Sequence, residues 1–285
     1  MTVDSSELKN VLRASWDAAS AGWDAWHDQF EQGAEAATRR LLELGGVRAG
    51  HRVLDVATGQ GEPALSAARL AGPTGRVVGI DFSPAMIAVA RRRAAGLPGI
   101  EFLEADMEDL QRETGSFDVV LSRFGLMFAT DRARVLSTLA RVLVPGGVLA
   151  AAVWGPASAH MLSFGPAALS ERLGMSAPPP GTPGPFAMSD PGACARELEA
   201  AGFADVSVTD GVVPFRFASI EDYVRFNREL LPPPILAIVK KRFGSEDSPH
   251  AWGLVSRAVA GRVGEDGTLS LPSVALYLRA SAPRR

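Results

Sequence analysis

The sequence predicts an α/β fold: a seven-stranded, mostly parallel sheet with helices on both faces, extended by a helical cap and lid. Three observations carry this. Apolar runs of strand length recur along the chain and are nearly continuous rather than alternating, as happens when helices cover both faces of a parallel sheet. Segments with helical periodicity and clear start and stop signals alternate with the early runs. A chain of 285 residues, 47% hydrophobic and 21% charged, is long enough for one large core plus an appended region.

In chain order, residues 1–45 read as a helical N-terminal cap carrying Trp16, Trp23 and Trp26. HRVLDVA (51–57) is the first strand, and EPALSAARLAG is a helix closing at Gly72. GRVVGID (75–81) is the second strand; the next helix has Ser83 as N-cap and Pro84 at its first position. GIEFLEAD (99–106) and SFDVVLS (116–122) follow as strands, then a helix in DRARVLSTLARVLVPGG that stops at proline, then the strand GGVLAAAVW (146–154). Residues 156–188 form a loop and cap segment whose Pro- and Gly-rich stretch 176–187 must be loop. SDPGACARELEAAGF is a helix capped by Ser189 or Asp190 and ending at Gly202. The last strands are DVSVTDGVVPF (205–215) and SVALYLRA (273–280), and the connection between them is far too long for a hairpin. With Ser219 and Asp222 spaced like a capping box and two more helical segments behind them, residues 216–270 are expected to form a helical lid, leaving 46–215 and 271–285 as the core.

The formal net charge of -3 gives no general pull toward nucleic acid or an anionic membrane, although Arg284 and Arg285 make a short basic tail. Cys194 is the single cysteine, so no intramolecular disulfide forms and no metal site is expected. No uncharged apolar run is long enough to span a bilayer; 142–155 is broken by Pro145, Gly146 and Gly147. The opening MTVDSSELKN has neither a basic n-region nor an apolar h-region, which makes the cytoplasm the expected compartment.

In an open parallel sheet, ligands sit beyond the carboxyl ends of the strands. After Asp55 at the end of the first strand come Gly59 and Gly61, which let the turn bend sharply and bring backbone close to a ligand. Taken alone, two such glycines are a weak signal, since a tight turn with no ligand role also uses them. Asp81 ends the second strand, where an acceptor takes both hydroxyls of a ribose, although it is also placed to cap the helix. Asp106 ends the third, placed to accept from the exocyclic amine of an adenine with Met107 against the ring. Three acids at three successive strand ends exceed what capping explains.

In VLDVATGQGEPAL, VVGIDFSPAMIAVAR, FLEADMEDL and FDVVLSRFGLMF the chain resembles the class I methyltransferases that use S-adenosylmethionine, a Rossmann-like family with seven strands. Its wording is most similar to the branch of ubiquinone, menaquinone and secondary-metabolite methyltransferases. Where that family has an acid followed by glycines at alternate positions, Asp55 is followed by Ala57, Gly59 and Gly61, an alanine compatible with the branch. The resemblance implies S-adenosyl-L-methionine as cofactor and S-adenosyl-L-homocysteine as product. It assigns the backbone around Ala57 and Gly59 to the cofactor's amino-acid end, Asp81 to the ribose, Asp106 and Met107 to the adenine, and Ser122 with Arg123 to the side nearest the sulfonium. Phe82 and Met86 join this cofactor-binding set, Met86 packing on the adenine. A dinucleotide fingerprint fits less well: in GQGEPA, Ala64 falls where its third glycine belongs, and Glu62 would repel a pyrophosphate.

Methyl transfer is an in-line displacement, so the protein mainly aligns the reactants and excludes water. A general base is optional, and His160 and His27 are the candidates. Trp23, Trp26, Phe124, Phe128, Trp154 and His160 are expected to line an apolar acceptor pocket. Arg123 either binds an acidic group of the acceptor or pairs with Asp131. The expected reaction is methyl transfer to O or C of a hydrophobic small molecule such as a polyketide, terpenoid or aromatic metabolite. The absence of an Asn-Pro-Pro-Tyr type motif where SRFG stands argues against amino-methylation of DNA bases or glutamine. Two alternatives stay open: a cyclase or isomerase that keeps the cofactor, and an NAD(P)-dependent oxidoreductase. Expected partners are the small-molecule acceptor and no nucleic acid, with a homo-oligomer left open.

Overall fold

A computed structural model of the chain describes residues 5–175, 179, 181–231 and 233–284. Residues 1–4, 176–178, 180, 232 and 285, which include part of the expected Pro- and Gly-rich loop and one arginine of the basic tail, lie outside the described residues. The chain runs α1 (Ser5–Ala25), α2 (His27–Gly45), β1 (Arg52–Val56), α3 (Ala64–Ala71), β2 (Arg76–Asp81), α4 (Pro84–Arg93), β3 (Ile100–Glu104), β4 (Phe117–Arg123), α5 (Arg132–Val142) and β5 (Leu143–Trp154). It continues with α6 (Met161–Leu173), α7 (Pro191–Ala200), β6 (Ala204–Phe217), α8 (Ile220–Leu230), α9 (Pro233–Phe243), α10 (Pro249–Val259) and β7 (Leu269–Ser281).

All seven strands lie in one sheet of order β3-β2-β1-β4-β5-β7-β6. The first five pair in parallel, and β7 runs antiparallel to both β5 and β6. The strand order reverses between β1 and β4, so the connections leaving these two diverge and open a crevice at their carboxyl ends. In β1, Val53, Leu54, Asp55 and Val56 are all buried, which is why the run carries no alternation.

Several boundaries differ from expectation for physical reasons. β3 stops at Glu104, so Asp106 stands two residues past the strand and caps a 3₁₀ turn, Met107–Asp109, by accepting from Glu108 N. β5 starts at Leu143 rather than at the glycines, because Pro145 biases the residue before it toward an extended backbone. α7 is capped by Asp190, whose carboxylate accepts from Ala193 N at 2.8 Å. β6 and β7 pair as far as Phe217 and Leu269, which shortens the lid. The N-terminal region divides in two: α2 packs on the sheet, where a Cβ on Gly33 would meet Phe215 and one on Gly45 would meet Val119, and adds His27, Phe30 and Glu31 to the cavity wall, while α1 lies over the crevice. In the lid, the buried Tyr223 of α8 donates its hydroxyl to Met161 O and accepts from Gly165 N, fastening α8 to α6. Among the described residues no helix is long and apolar enough to cross a membrane, and no group of three or more acids, histidines or cysteines is placed to hold a metal ion.

Candidate active site

The turn after β1 is built by carboxylates. Asp55 is fully buried, and its Oδ2 accepts from Thr58 Oγ1 at 2.6 Å and from Ala64 N at 3.1 Å. It staples the turn to the start of α3 and is not among the residues that line the cavity. Burial pushes this carboxyl up to about 7. Ala57 and Gly59 follow in left-handed conformations, φ +54° and +53°. Ala57 tolerates its methyl here because the facing residue is Gly125, on which any Cβ would collide with that of Ala57. Around Gly59 the position of a Cβ is open space in the cavity, whereas at Gly61 it would press on Leu65; Gly61 therefore serves packing and not the cavity. At the start of α3, Ala64 N is taken by Asp55 and Ser66 N by Glu62, leaving no free cradle for a pyrophosphate.

Asp81, 7% exposed, ends β2 with Oδ2 accepting from Gly59 N and Oδ1 from Ser83 N, each at 2.9 Å. Burial pushes its carboxyl up to about 6. Phe82, the buried Met86, Asp106 and Met107 line the same end of the cavity. Over this end lies α1. Lys9 Nζ reaches both Asp106 and Glu108 at 2.8 Å, Arg13 pairs with Glu104, Gln60 donates to Ser20 O, and Asp24 pairs with Arg92 and Arg93.

At the other end the walls are aromatic. Phe124, a bulky residue at φ +61°, is held there by Phe124 N donating to Ala152 O and by stacking on Trp154 at 3.6 Å between ring centroids. Trp16 meets Phe128 edge-on at 5.2 Å, and Trp23 meets Phe30 likewise at 5.1 Å. His160 is fully buried beside Trp154, with ring centroids 4.4 Å apart.

Three further residues expected at the site engage other partners. Trp26 lies outside the cavity: its Nε1 donates to Glu229 at 2.6 Å and its ring packs on Phe226. Ser122 donates to Val56 O at 2.9 Å, tying β4 to β1, and does not reach the cavity. Arg123 borders the cavity and pairs not with Asp131 but with α2: its Nη1 donates to Glu31 and Thr38, both at 2.7 Å. Burial opposes the charge of Glu31, and the Arg123 guanidinium overcomes this and holds the carboxyl below its ordinary value.

In both histidines Nδ1 is already engaged. The Nδ1 of His27 faces Arg93, which only donates, and that of His160 accepts from Leu162 N at 3.2 Å. Each neutral ring therefore carries its proton on Nε2. Burial lowers both, with Arg93 adding to the effect at His27, and brings His160 to about 3, so neither ring is charged near neutrality.

These walls enclose a cavity of about 450 Å³. Its charged lining is five carboxylates, Glu31, Glu62, Asp81, Asp106 and Glu108, against Lys9 and Arg123. That balance and the open space at Gly59 fit S-adenosylmethionine, a cationic nucleoside without phosphates, and disfavour a dinucleotide. Lys9, Gln60, Glu31 and Glu108 escaped sequence reasoning, because their place at the site comes from how α1, α2 and the 3₁₀ turn dock.

A family model described as a methyltransferase domain matches residues 53–147. The chain is 39% identical over 148 residues to a ubiquinone/menaquinone biosynthesis C-methyltransferase UbiE from Ectopseudomonas oleovorans, covering 50% of this chain and 86% of that protein. It is also 39% identical over 150 residues to the UbiE protein of Pseudomonas putida, covering 51% of this chain but only 58% of the relative's length. A solved structure of phosphoethanolamine N-methyltransferase 2 from Haemonchus contortus in complex with S-adenosyl-L-methionine shares the fold, with a TM-score of 0.55 at 21% identity over 90% of this chain and 56% of that one.

Proposed function

Since the chain belongs to the class I S-adenosylmethionine-dependent methyltransferases, we propose that it transfers a methyl group to a carbon or oxygen of a hydrophobic small molecule, such as a polyketide, terpenoid or aromatic metabolite. One cavity split by chemistry supports this: carboxylates and a left-handed turn at one end, stacked aromatic rings at the other. Carbon is favoured by relatives named as C-methyltransferases.

When bound, S-adenosylmethionine supplies a methyl carbon activated by its sulfonium. The chain's own residues then bind and orient. Asp81 has lone pairs left for ribose hydroxyls after holding Gly59 and Ser83, and the backbone at Ala57 and Gly59 meets the amino-acid end. Phe82, Met86 and Met107 pack on the adenine, and Asp106 accepts from its amine beside Lys9. The Phe124–Trp154 stack and the rings contributed by α1 hold the acceptor and exclude water, so alignment supplies most of the acceleration. With Nε2 protonated in both histidines, neither ring takes up the acceptor's proton.

Incubation with methyl-labelled S-adenosylmethionine and a panel of hydroxyaromatic, quinol and polyketide acceptors tests this by mass spectrometry. Label in a product on carbon or oxygen is the expected result. Turnover of an acceptor without label would replace transfer by cyclisation or isomerisation, and NAD binding in place of S-adenosylhomocysteine would overturn the cofactor as well.

A further inference from the structure

We propose that His160 is a fixed hydrogen-bond donor in the acceptor pocket, selecting molecules that present a carbonyl, quinone or phenolate oxygen to its Nε2. The imidazole stands at the N-terminus of α6, where Nδ1 accepts from Leu162 N at 3.2 Å and caps the helix. A nitrogen that accepts an amide N–H carries no proton, so the neutral ring is protonated on Nε2. That Nε2 is buried and has no partner in the protein, although the residue borders the cavity. The groups around it offer no acceptor: Trp154 meets the ring edge at 4.4 Å and Phe186 at 5.3 Å. A buried donor without a partner is destabilising, and because the residue borders the cavity, a small shift of the ring on binding brings Nε2 within reach of a ligand oxygen that satisfies it.

The oxygen is held rather than deprotonated. An apolar wall with one donor discriminates more sharply than an apolar wall alone, because a ligand lacking the oxygen leaves the N–H unpaired. This specificity rests on the aromatic end being the acceptor pocket.

Two measurements test it. In protein saturated with S-adenosylhomocysteine, long-range ¹H–¹⁵N correlation spectra, with the His160 signals identified by their loss in His160→Asn, are expected to show Nε2 protonated and Nδ1 bare. Protonation of Nδ1 would overturn the proposal on its own, whatever acceptors bind. The second measurement is calorimetry of S-adenosylhomocysteine-loaded protein with fused-ring aryl ketones, each paired with its deoxygenated counterpart, starting from 2-acetylnaphthalene and 2-ethylnaphthalene. Wild type is expected to prefer the ketones by roughly tenfold. His160→Asn keeps a cap on α6 but is too short to donate at the Nε2 position. It is expected to lose that preference while binding S-adenosylhomocysteine and melting as wild type does. Equal affinity for both members of each pair, failure of wild type to bind any ketone, or an equal loss of cofactor affinity in the variant would each overturn the proposal. Loss of S-adenosylhomocysteine binding by wild type would instead end the methyltransferase reading and leave the proton position measurable.

Discussion

Asp81 does two jobs with one carboxylate, shaping the Gly59 turn and offering its remaining lone pairs to the cavity. Burial raises it from an ordinary 3.8 to about 6, so the fold favours its protonated form. Stability from this group is present below its unfolded value and is lost as pH rises through about 6, whereas acceptance from two ribose hydroxyls needs the ionised form. Affinity for S-adenosylhomocysteine is therefore expected to weaken as pH falls below about 6, and Asp81→Ala to weaken it by more than about tenfold at neutral pH. Calorimetry across this range with Asp81→Asn as the control separates Asp81 from Asp55, which burial brings to about 7. A flat wild-type profile, or the same slope in Asp81→Asn, would exclude the ribose role. Both acids were readable as the ends of apolar runs. That one is a staple inside the turn and the other faces the cavity was not readable, because a strand end specifies where a side chain starts and not which neighbours it meets.

Between elements, Arg123 binds β4 to α2. With its side chain 7% exposed against 21% for Glu31, this is a part-buried pair, and the two residues are 92 positions apart. Removing one member strands the other charge, so Arg123→Met is expected to destabilise in urea unfolding by at most about 3–5 kcal/mol, the range for a fully buried pair. Adding Glu31→Met removes that penalty and is expected to recover most of the loss. A double variant no more stable than the single one would show that the pair does not hold α2 to the sheet. Sequence reasoning correctly placed Arg123 beside the cavity, but it had no means of choosing Glu31 over Asp131.

Across the whole molecule, two kinds of attachment differ. The sheet and its covering helices share one continuous apolar core. α1 contributes no fully buried hydrophobic residue and is joined to the crevice edge through Lys9, Arg13 and Asp24, whose ion pairs are partly exposed. Salt screens such pairs far more than it affects apolar burial. Raising sodium chloride from about 0.05 M to about 0.5 M is expected to speed amide exchange in α1 several-fold while leaving β1 and β4 protected, and bound S-adenosylhomocysteine is expected to oppose this. Equal protection of α1 at both salt concentrations would show that it is held by other forces.

By itself the sequence determined the α/β class, the seven strands, the caps at Ser83 and Ser219, and the glycine turn with acids at the neighbouring strand ends. Each is written in local periodicity or short-range hydrogen bonding, where residues a few positions apart decide the outcome. The tertiary structure decided which groups share the cavity: it leaves Asp55, Gly61, Ser122 and Trp26 out of the cavity wall, places Lys9 and Glu31 in it, and sets Nδ1 of His160 against the Leu162 amide. These depend on how helices dock across the sheet and on which atom of a ring meets a backbone amide, and neither leaves a trace in the order of residues along the chain.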